Sequence, residues 1–232
     1  MIAVVEETGT LWVVATPIGT IEDLGPRARE VLADVDLILA EDTRRTRGLL
    51  AHAGIAAGRR LQSLHEHNEA ERVPKILSEL RRGRSAALVS DAGTPGISDP
   101  GYLLVRAIRA EGLKICSVPG ASAFTAALAV AGQPPLPAVL VGFLPPRRGA
   151  RRRRIAELSR WPQTLVVFLS PHRLAAELGD LAAGLGGARE ATLLAELSKL
   201  HERAWMGTLD DLVDGPEAAA PRGEYVLVIG PG

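Results

Sequence analysis

Val89-Ser90-Asp91-Ala92-Gly93-Thr94-Pro95-Gly96-Ile97-Ser98-Asp99-Pro100-Gly101 follows the apolar run Ala86-Ala87-Leu88-Val89 and precedes a helical pattern over residues 102–110. Three glycines and two prolines between Asp91 and Gly101 continue neither a strand nor a helix, since proline withdraws a backbone donor and glycine favours turns. The stretch therefore reads as a rigid loop leaving the carboxyl end of a buried strand, where open α/β sheets bind ligands. Ordinary βα connections need only about 2–6 residues; a Gly/Pro-rich link with no ligand is the plainer alternative. Its glycines admit a ligand close to the backbone, and Asp91 sets an acceptor at the strand tip.

Outward from this loop, apolar runs alternate with helical patterns. Leu11-Trp12-Val13-Val14-Ala15 reads as a buried strand ending in Thr16-Pro17-Ile18-Gly19-Thr20, a second Gly/Pro-bearing loop. A helix over residues 26–33 opens at Pro26, which suits a first turn. Leu37-Ile38-Leu39-Ala40 is the next strand and runs into Glu41-Asp42-Thr43-Arg44-Arg45, where Thr43 is expected to cap a helix over 44–53 that Gly54 stops. Residues 61–64 form a short strand, followed by His65-Glu66-His67-Asn68; Asn68 and Glu71 have capping-box spacing for a helix to Arg82. Beyond the central loop and its helix, strand 114–118 ends in Pro119-Gly120-Ala121-Ser122-Ala123, and a helix runs to Ala131. Such alternation predicts a mainly parallel sheet.

Gly132-Gln133-Pro134-Pro135-Leu136-Pro137 interrupts any regular element, so the domain boundary is placed there: an N-terminal α/β domain over 1–132 and a C-terminal α/β domain over 133–232. In the second, strands are expected at 139–141, 164–169, 192–195, 204–207 and 225–229. Residues 143–146 read as a turn, 147–154 as a basic run, and 155–160, 172–185 and 210–213 as helices, with Ser170 capping the second of these. The Ala-rich piece 216–221 reads as an exposed loop.

Nearly half of the 232 residues are hydrophobic but only 3% are aromatic, so Ala, Val and Leu must fill the core. Twenty-seven basic residues balance 27 acidic ones, which leaves no global field for a polyanion; contact with nucleic acid must come from a local patch. The single Cys116, inside an apolar run, excludes an internal disulfide and fits a reducing compartment. Residues 1–7 are too short and acidic for a signal peptide, and no apolar run reaches about 18 residues. A cytoplasmic protein without a membrane partner is expected.

The central loop lacks both common phosphate signatures. No G-x-G-x-x-G is present, Pro95 stands where a helix should open, no acidic residue follows the next strand, and Gly-Lys-Ser/Thr occurs nowhere. A Rossmann-type oxidoreductase is thereby disfavoured. Backbone amides and carbonyls remain, with the small residues Ala92, Gly93, Ala121, Ser122 and Ala123. They suit a ligand with a purine, a ribose and modest charge, and no pyrophosphate.

Val14-Ala15-Thr16-Pro17-Ile18-Gly19-Thr20-Ile21-Glu22-Asp23-Leu24, Ala40-Glu41-Asp42-Thr43-Arg44, His65-Glu66-His67-Asn68, the central loop, Pro119-Gly120-Ala121-Ser122 and Gly142-Phe143-Leu144-Pro145 follow one another in this order. Together, and over nearly the whole chain, they resemble the tetrapyrrole-methylase-type S-adenosylmethionine methyltransferases. The match is to the branch that methylates a cytidine ribose 2′-hydroxyl in the decoding region of 16S rRNA. The resemblance implies two α/β domains with S-adenosylmethionine folded into the cleft between them, a homodimer, and 16S rRNA within the 30S subunit as partner. It places Pro17, Asp91, Gly93, Thr94, Pro95, Ser122 and Ala123 around the cofactor, with Phe143, Leu144, Leu197 and the Gly223-Glu224 turn as neighbours from the second domain. Phe143 reads equally as core. The family pattern Tyr-Glu-Ser-Pro-His-Arg is Phe168-Leu169-Ser170-Pro171-His172-Arg173 here, so no role passes to the missing acid.

A base near the 2′-hydroxyl assists methyl transfer. Glu41 and Asp42 are the catalytic candidates, with His65 and His67 beside them; helix capping and dipole complementarity are the other reading of the two acids. The histidines lack further ligands at metal-binding spacing, so no metal is expected. Arg44 and Arg45 are candidate phosphate contacts, or partners of those acids. Arg147, Arg148, Arg151, Arg152, Arg153 and Arg154 form the strongest RNA-contact candidate, with a solvated helix start as the alternative. A methylase of tetrapyrrole precursors and a non-catalytic RNA-binding module remain the competing functions.

Overall fold

The computed structural model describes residues 8–219 and 221–232; residues 1–7, which bear on the leader expectation, lie outside these. The first half runs β1 (Thr10–Val14), α1 (Pro26–Asp34), β2 (Leu37–Ala40), α2 (Thr43–His52), β3 (Leu61–Ser63), α3 (Glu69–Arg81), β4 (Ala86–Val89), α4 (Tyr102–Ala110) and β5 (Lys114–Val118). These strands form one sheet in the order β3-β2-β4-β1-β5, and every pair is parallel. All residues of β2 and β4 are buried, as continuous apolar runs require when both faces of a sheet are covered. Leu39, Leu88, Leu104 and Ile108 pack on one face, and Ile38, Ala87, Leu32 and Leu50 on the other.

Helix ends show where local sequence was misleading. Asp42, not Thr43, caps α2: its carboxylate accepts from the Arg44 N–H at 2.8 Å. Asn68 occupies the N-cap of α3 but makes no capping bond; its Oδ1 instead accepts from the His65 N–H at 2.9 Å, closing the preceding turn. Gly101, before α4, sits at φ +125°, and a Cβ there would lie 2.6 Å from Leu88 Cδ2. Gly101→Ala should therefore lower the stability of this unit by about 1–3 kcal/mol, read as an earlier urea midpoint with unchanged slope.

The second half continues α5 (Ala123–Val130), β6 (Ala138–Phe143), α6 (Arg148–Leu158), β7 (Thr164–Leu169), α7 (Leu174–Leu185), β8 (Glu190–Ala195), β9 (Arg203–Thr208), α8 (Leu209–Val213), α9 (Pro216–Ala219) and β10 (Tyr225–Ile229). Its sheet has the order β6-β7-β10-β8-β9, parallel only between β6 and β7. Two compact units divide at Ser122/Ala123, ahead of the proline-rich segment. The reason is that α5 and that segment are tied to the second sheet: Thr192 donates to the Ala131 carbonyl at 2.7 Å and Thr164 to the Pro134 carbonyl at 2.6 Å.

Further differences are local. The basic run is not a lead-in but most of α6, because Arg151, Ile155 and Leu158 bury one helical face. Phe143 ends β6 rather than starting a turn. Ser170 makes no side-chain cap; a 3-10 turn, Pro171–Arg173, precedes α7, and Glu177 accepts from the Ser170 N–H at 3.0 Å. The Ala-rich piece is not an open loop over its described part, since Pro216–Ala219 is helical and Ala218 joins the second core; Ala220 lies outside the described residues.

Candidate functional site

At the carboxyl ends of the first sheet, three loops are stitched together. The Thr16 N–H donates to the Gly93 carbonyl at 2.8 Å, and the Gly93 N–H returns to the Thr16 carbonyl at 3.0 Å, an isolated antiparallel bridge beyond two parallel strands. Thr16 Oγ1 donates to the Ser90 carbonyl at 3.2 Å, and Ser90 Oγ to the Gly93 carbonyl at 3.2 Å. Thr94 Oγ1 donates to the Ala121 carbonyl at 3.3 Å, which joins the loop after β5. Gly93 makes the lattice possible through φ +83°, which L side chains rarely adopt. A Cβ there would meet nothing closer than Ile18 Cγ2 at 3.5 Å; the requirement is conformational rather than spatial. Pro17, Gly93, Thr94, Pro95 and Ser122 thus border one lattice of backbone and small side chains.

Beside this lattice is a second feature. The chain leaves β2 for β3 at one sheet edge and leaves β4 for β5 at the other. Adjacent strands whose exits diverge open a crevice, the switch point at which such sheets bind ligands. The Asp42 N–H donates to Asp91 Oδ1 at 3.0 Å across it, and Arg45 stands 3.5 Å from the other Asp91 oxygen. Asp91 therefore orders the crevice.

Asp99, which sequence reasoning passed over, is the most perturbed acid at this crevice. Burial, and then the negative charge of Glu41, push its carboxyl up to about 7, against a hydrogen bond from Ser90. Glu41 is itself raised, by burial first and by Asp91 next, with Arg45 and His65 opposing. Asp42 goes the other way: the hydrogen bond from the Arg44 side chain holds it at about 2. Of the two catalytic candidates, Asp42 is a helix cap paired with Arg44 at 2.9 Å, too weak a base at neutral pH, whereas Glu41 belongs to the perturbed cluster. Asp99 was legible only as one more letter of a Gly/Pro loop. Ser98 before it, at φ +66°, and its neighbours in space supply the signal.

In the second unit, Phe143 is exposed and meets Phe168 edge-on at 5.5 Å, while the Leu144 side chain is core and has only its backbone to offer a ligand. Leu197 is held between Glu196 and Ser198, both left-handed at φ +55° and +64°. Glu196 Oε1 accepts from the Glu224 N–H at 2.8 Å and fixes the Gly223 turn. Ala123 opens α5.

The arginine run separates into two groups. Arg151 is buried, and its guanidinium grips Asp180 of α7 at 2.6 Å; Arg152 at 2.8 Å and Arg148 at 3.5 Å join the same carboxylate. Burial opposes ionisation of Asp180, yet the hydrogen bonds from Arg152 and Arg151 prevail and hold its pKa low. Arg154 pairs with Glu157 and lies over the Trp161 ring. Arg147 and Arg153 alone of the six have no carboxylate partner among the described residues. Arg151 is thus a structural ion, not an RNA contact. Arg44 and Arg45 are well exposed, each beside an aspartate. Among the described residues no group of three or more His, Cys, Asp or Glu is arranged to hold a metal, and no helix is long and apolar enough to cross a membrane.

Comparison with known proteins gives three findings. The model of the Tetrapyrrole (Corrin/Porphyrin) Methylases matches residues 10–213. A ribosomal RNA small subunit methyltransferase I from Xylella fastidiosa is 48% identical over 95% of this chain and 81% of its own length; one from Pseudomonas aeruginosa is 44% identical over 95% and 78%. Among solved structures, the uroporphyrin-III C-methyltransferase of Thermus thermophilus, complexed with S-adenosyl homocysteine, superposes at a TM-score of 0.65 with 20% identity, over 96% of this chain and 97% of that one. At that identity the likeness speaks for the fold.

Proposed function

Since the chain belongs to the tetrapyrrole (corrin/porphyrin) methylase family, within its ribosomal RNA small subunit methyltransferase I branch, we propose that it methylates a cytidine ribose 2′-hydroxyl of 16S rRNA with S-adenosylmethionine. Support in the geometry comes from one juxtaposition: the Thr16–Gly93–Ala121 lattice stands at the strand ends that also carry Asp99, a carboxyl held near neutrality. The loops that the lattice holds fit the cofactor by chemistry, with small residues that let an adenosine approach the backbone and no phosphate-binding device. When bound, S-adenosylmethionine supplies an activated methyl group.

The residues of the chain do the rest. The loop lattice orients the two reactants, and positioning alone supplies several kcal/mol. Asp99 accepts the 2′-hydroxyl proton, Glu41 tunes it, and Asp91 with Arg45 keeps the crevice ordered. Arg44, Arg147 and Arg153 meet substrate phosphates. The substrate is the assembled 30S subunit, the enzyme acts as a homodimer, and the reaction is cytoplasmic; these three statements extend the family resemblance.

Tritiated-methyl transfer to undermethylated 30S subunits, compared with naked rRNA and followed by mapping of the modified nucleotide, tests the reading. Label at a cytidine 2′-oxygen is expected; transfer to a tetrapyrrole precursor but not to rRNA would overturn it. For the basic face, changing Arg147 and Arg153 together to Ala should lower the slope of log affinity against log salt by about 1.4, at roughly 0.7 per phosphate on single strands. Calorimetric affinity for S-adenosylmethionine should not move.

A further inference from the structure

We propose that a cavity beside α4, which shares only Pro95 with the border of the strand-end lattice, receives one unstacked nucleotide of the RNA strand. The inference rests on the rRNA reading above and gives it a second, named pocket. The cavity has a volume of about 320 Å³, within the roughly 300–1,000 Å³ of small-ligand sites. Val13 of β1, Ile115 of the edge strand β5 and Val105 of α4 give it an apolar lining. Pro95, Gly96 and Gly101 close it with the same loop that carries Asp99.

Three residues of α4 decide what fits. Tyr102, Val105 and Arg109 follow at i, i+3 and i+7, one stripe of the helix, which sets the phenol and the guanidinium roughly 10 Å apart along the axis. Tyr102 is 65% exposed, a large ring with no cover. Arg109 has no ion-pair partner among the described residues, whereas Arg81, Arg82 and Arg84 of this unit each have one. A ring on which a base stacks, an apolar wall and a free guanidinium for phosphate are the elements of single-strand recognition. A second copy of the chain is less suited to this face. The lining holds a cation and no acid, a complement to phosphate and not to a second basic lining like itself.

The test uses the full chain and a short cytidine-rich oligoribonucleotide, with affinity measured across a salt series. Tyr102→Ala should weaken binding about tenfold or more. Arg109→Ala should lower the salt slope by about 0.7, and Arg109→Lys should restore that slope. Calorimetry with S-adenosylmethionine and light scattering accompany every variant. The proposal is overturned if affinity and slope stay at wild-type values while the wild type still methylates rRNA, which leaves the rRNA reading standing. It is overturned in favour of self-association if affinity falls only in step with loss of a dimer. If the wild type neither binds nor methylates rRNA, both readings fall together.

Discussion

Asp99→Asn should lower the rate of methyl transfer about 10²–10⁴-fold, the usual contribution of a general base, while S-adenosylmethionine affinity by calorimetry stays at the wild-type value. Asparagine keeps the shape of the side chain and removes its capacity to accept the hydroxyl proton. The wild-type rate should rise with pH through about 7, because the base works only when ionised and its carboxyl is pushed up to about 7. Glu41→Gln deletes the second-largest cause of that shift and should move the rising limb to lower pH. A pH profile that is flat from 6 to 8 would remove Asp99 from the chemistry. The same shift has a consequence for stability. A carboxyl whose folded pKa is raised above its ordinary value costs stability once ionised, so stability should fall as pH climbs from about 4 to about 7. Asp99→Asn should therefore raise the melting temperature at pH 8 and leave it unchanged near pH 3.5, a gain in stability coupled to a loss of activity.

Arg151→Met should destabilise the second unit by about 3–5 kcal/mol, the cost of breaking a buried ion pair from one side. Arg151 is 3% exposed, and besides Asp180 it donates to the Pro146 carbonyl at 3.2 Å. Its loss leaves a buried aspartate shared by Arg152 and Arg148, both partly in water. Combining Arg151→Met with Asp180→Leu should recover much of the loss, since no unpaired charge then remains. The folded pKa of Asp180 is depressed, so its contribution is complete above the ordinary carboxylate range and disappears as pH falls through the folded value. Urea unfolding followed at Trp161 and Trp205, which pack against the second core, reports on this unit. A loss below about 1 kcal/mol would mean a solvated pair and would return Arg151 to the RNA-contact candidates.

The central loop illustrates how far a sequence can be read. Its position after a fully buried strand, the parallel alternation around it and the absence of phosphate signatures all follow from local chemistry: apolar runs, proline, and glycine at turns. Gly93 was recognisable as a turn glycine of a strand-end loop, and its φ is +83°. Its bridge to Thr16 was not, because no spacing rule links residues 77 positions apart. The arginine run shows the opposite error. Six arginines in eight residues look alike as letters, but helical periodicity turns Arg151 inward and Asp180 of another helix captures it. Asp42 and Thr43 competed for one cap, and the choice fell to backbone geometry that neither residue type specifies.

Sequence by itself determined the α/β character of both halves, the strand-end loops and the family. These depend on composition, periodicity and motif order along the chain. Only the tertiary structure decided that Asp99 is the perturbed carboxyl, that Asp42 is a cap, and that Arg147 and Arg153 have no carboxylate partner among the described residues. Burial and Coulomb interaction depend on distance through space, and the strand order β3-β2-β4-β1-β5 sets beside one another the ends of β2 and β4, which the chain keeps far apart.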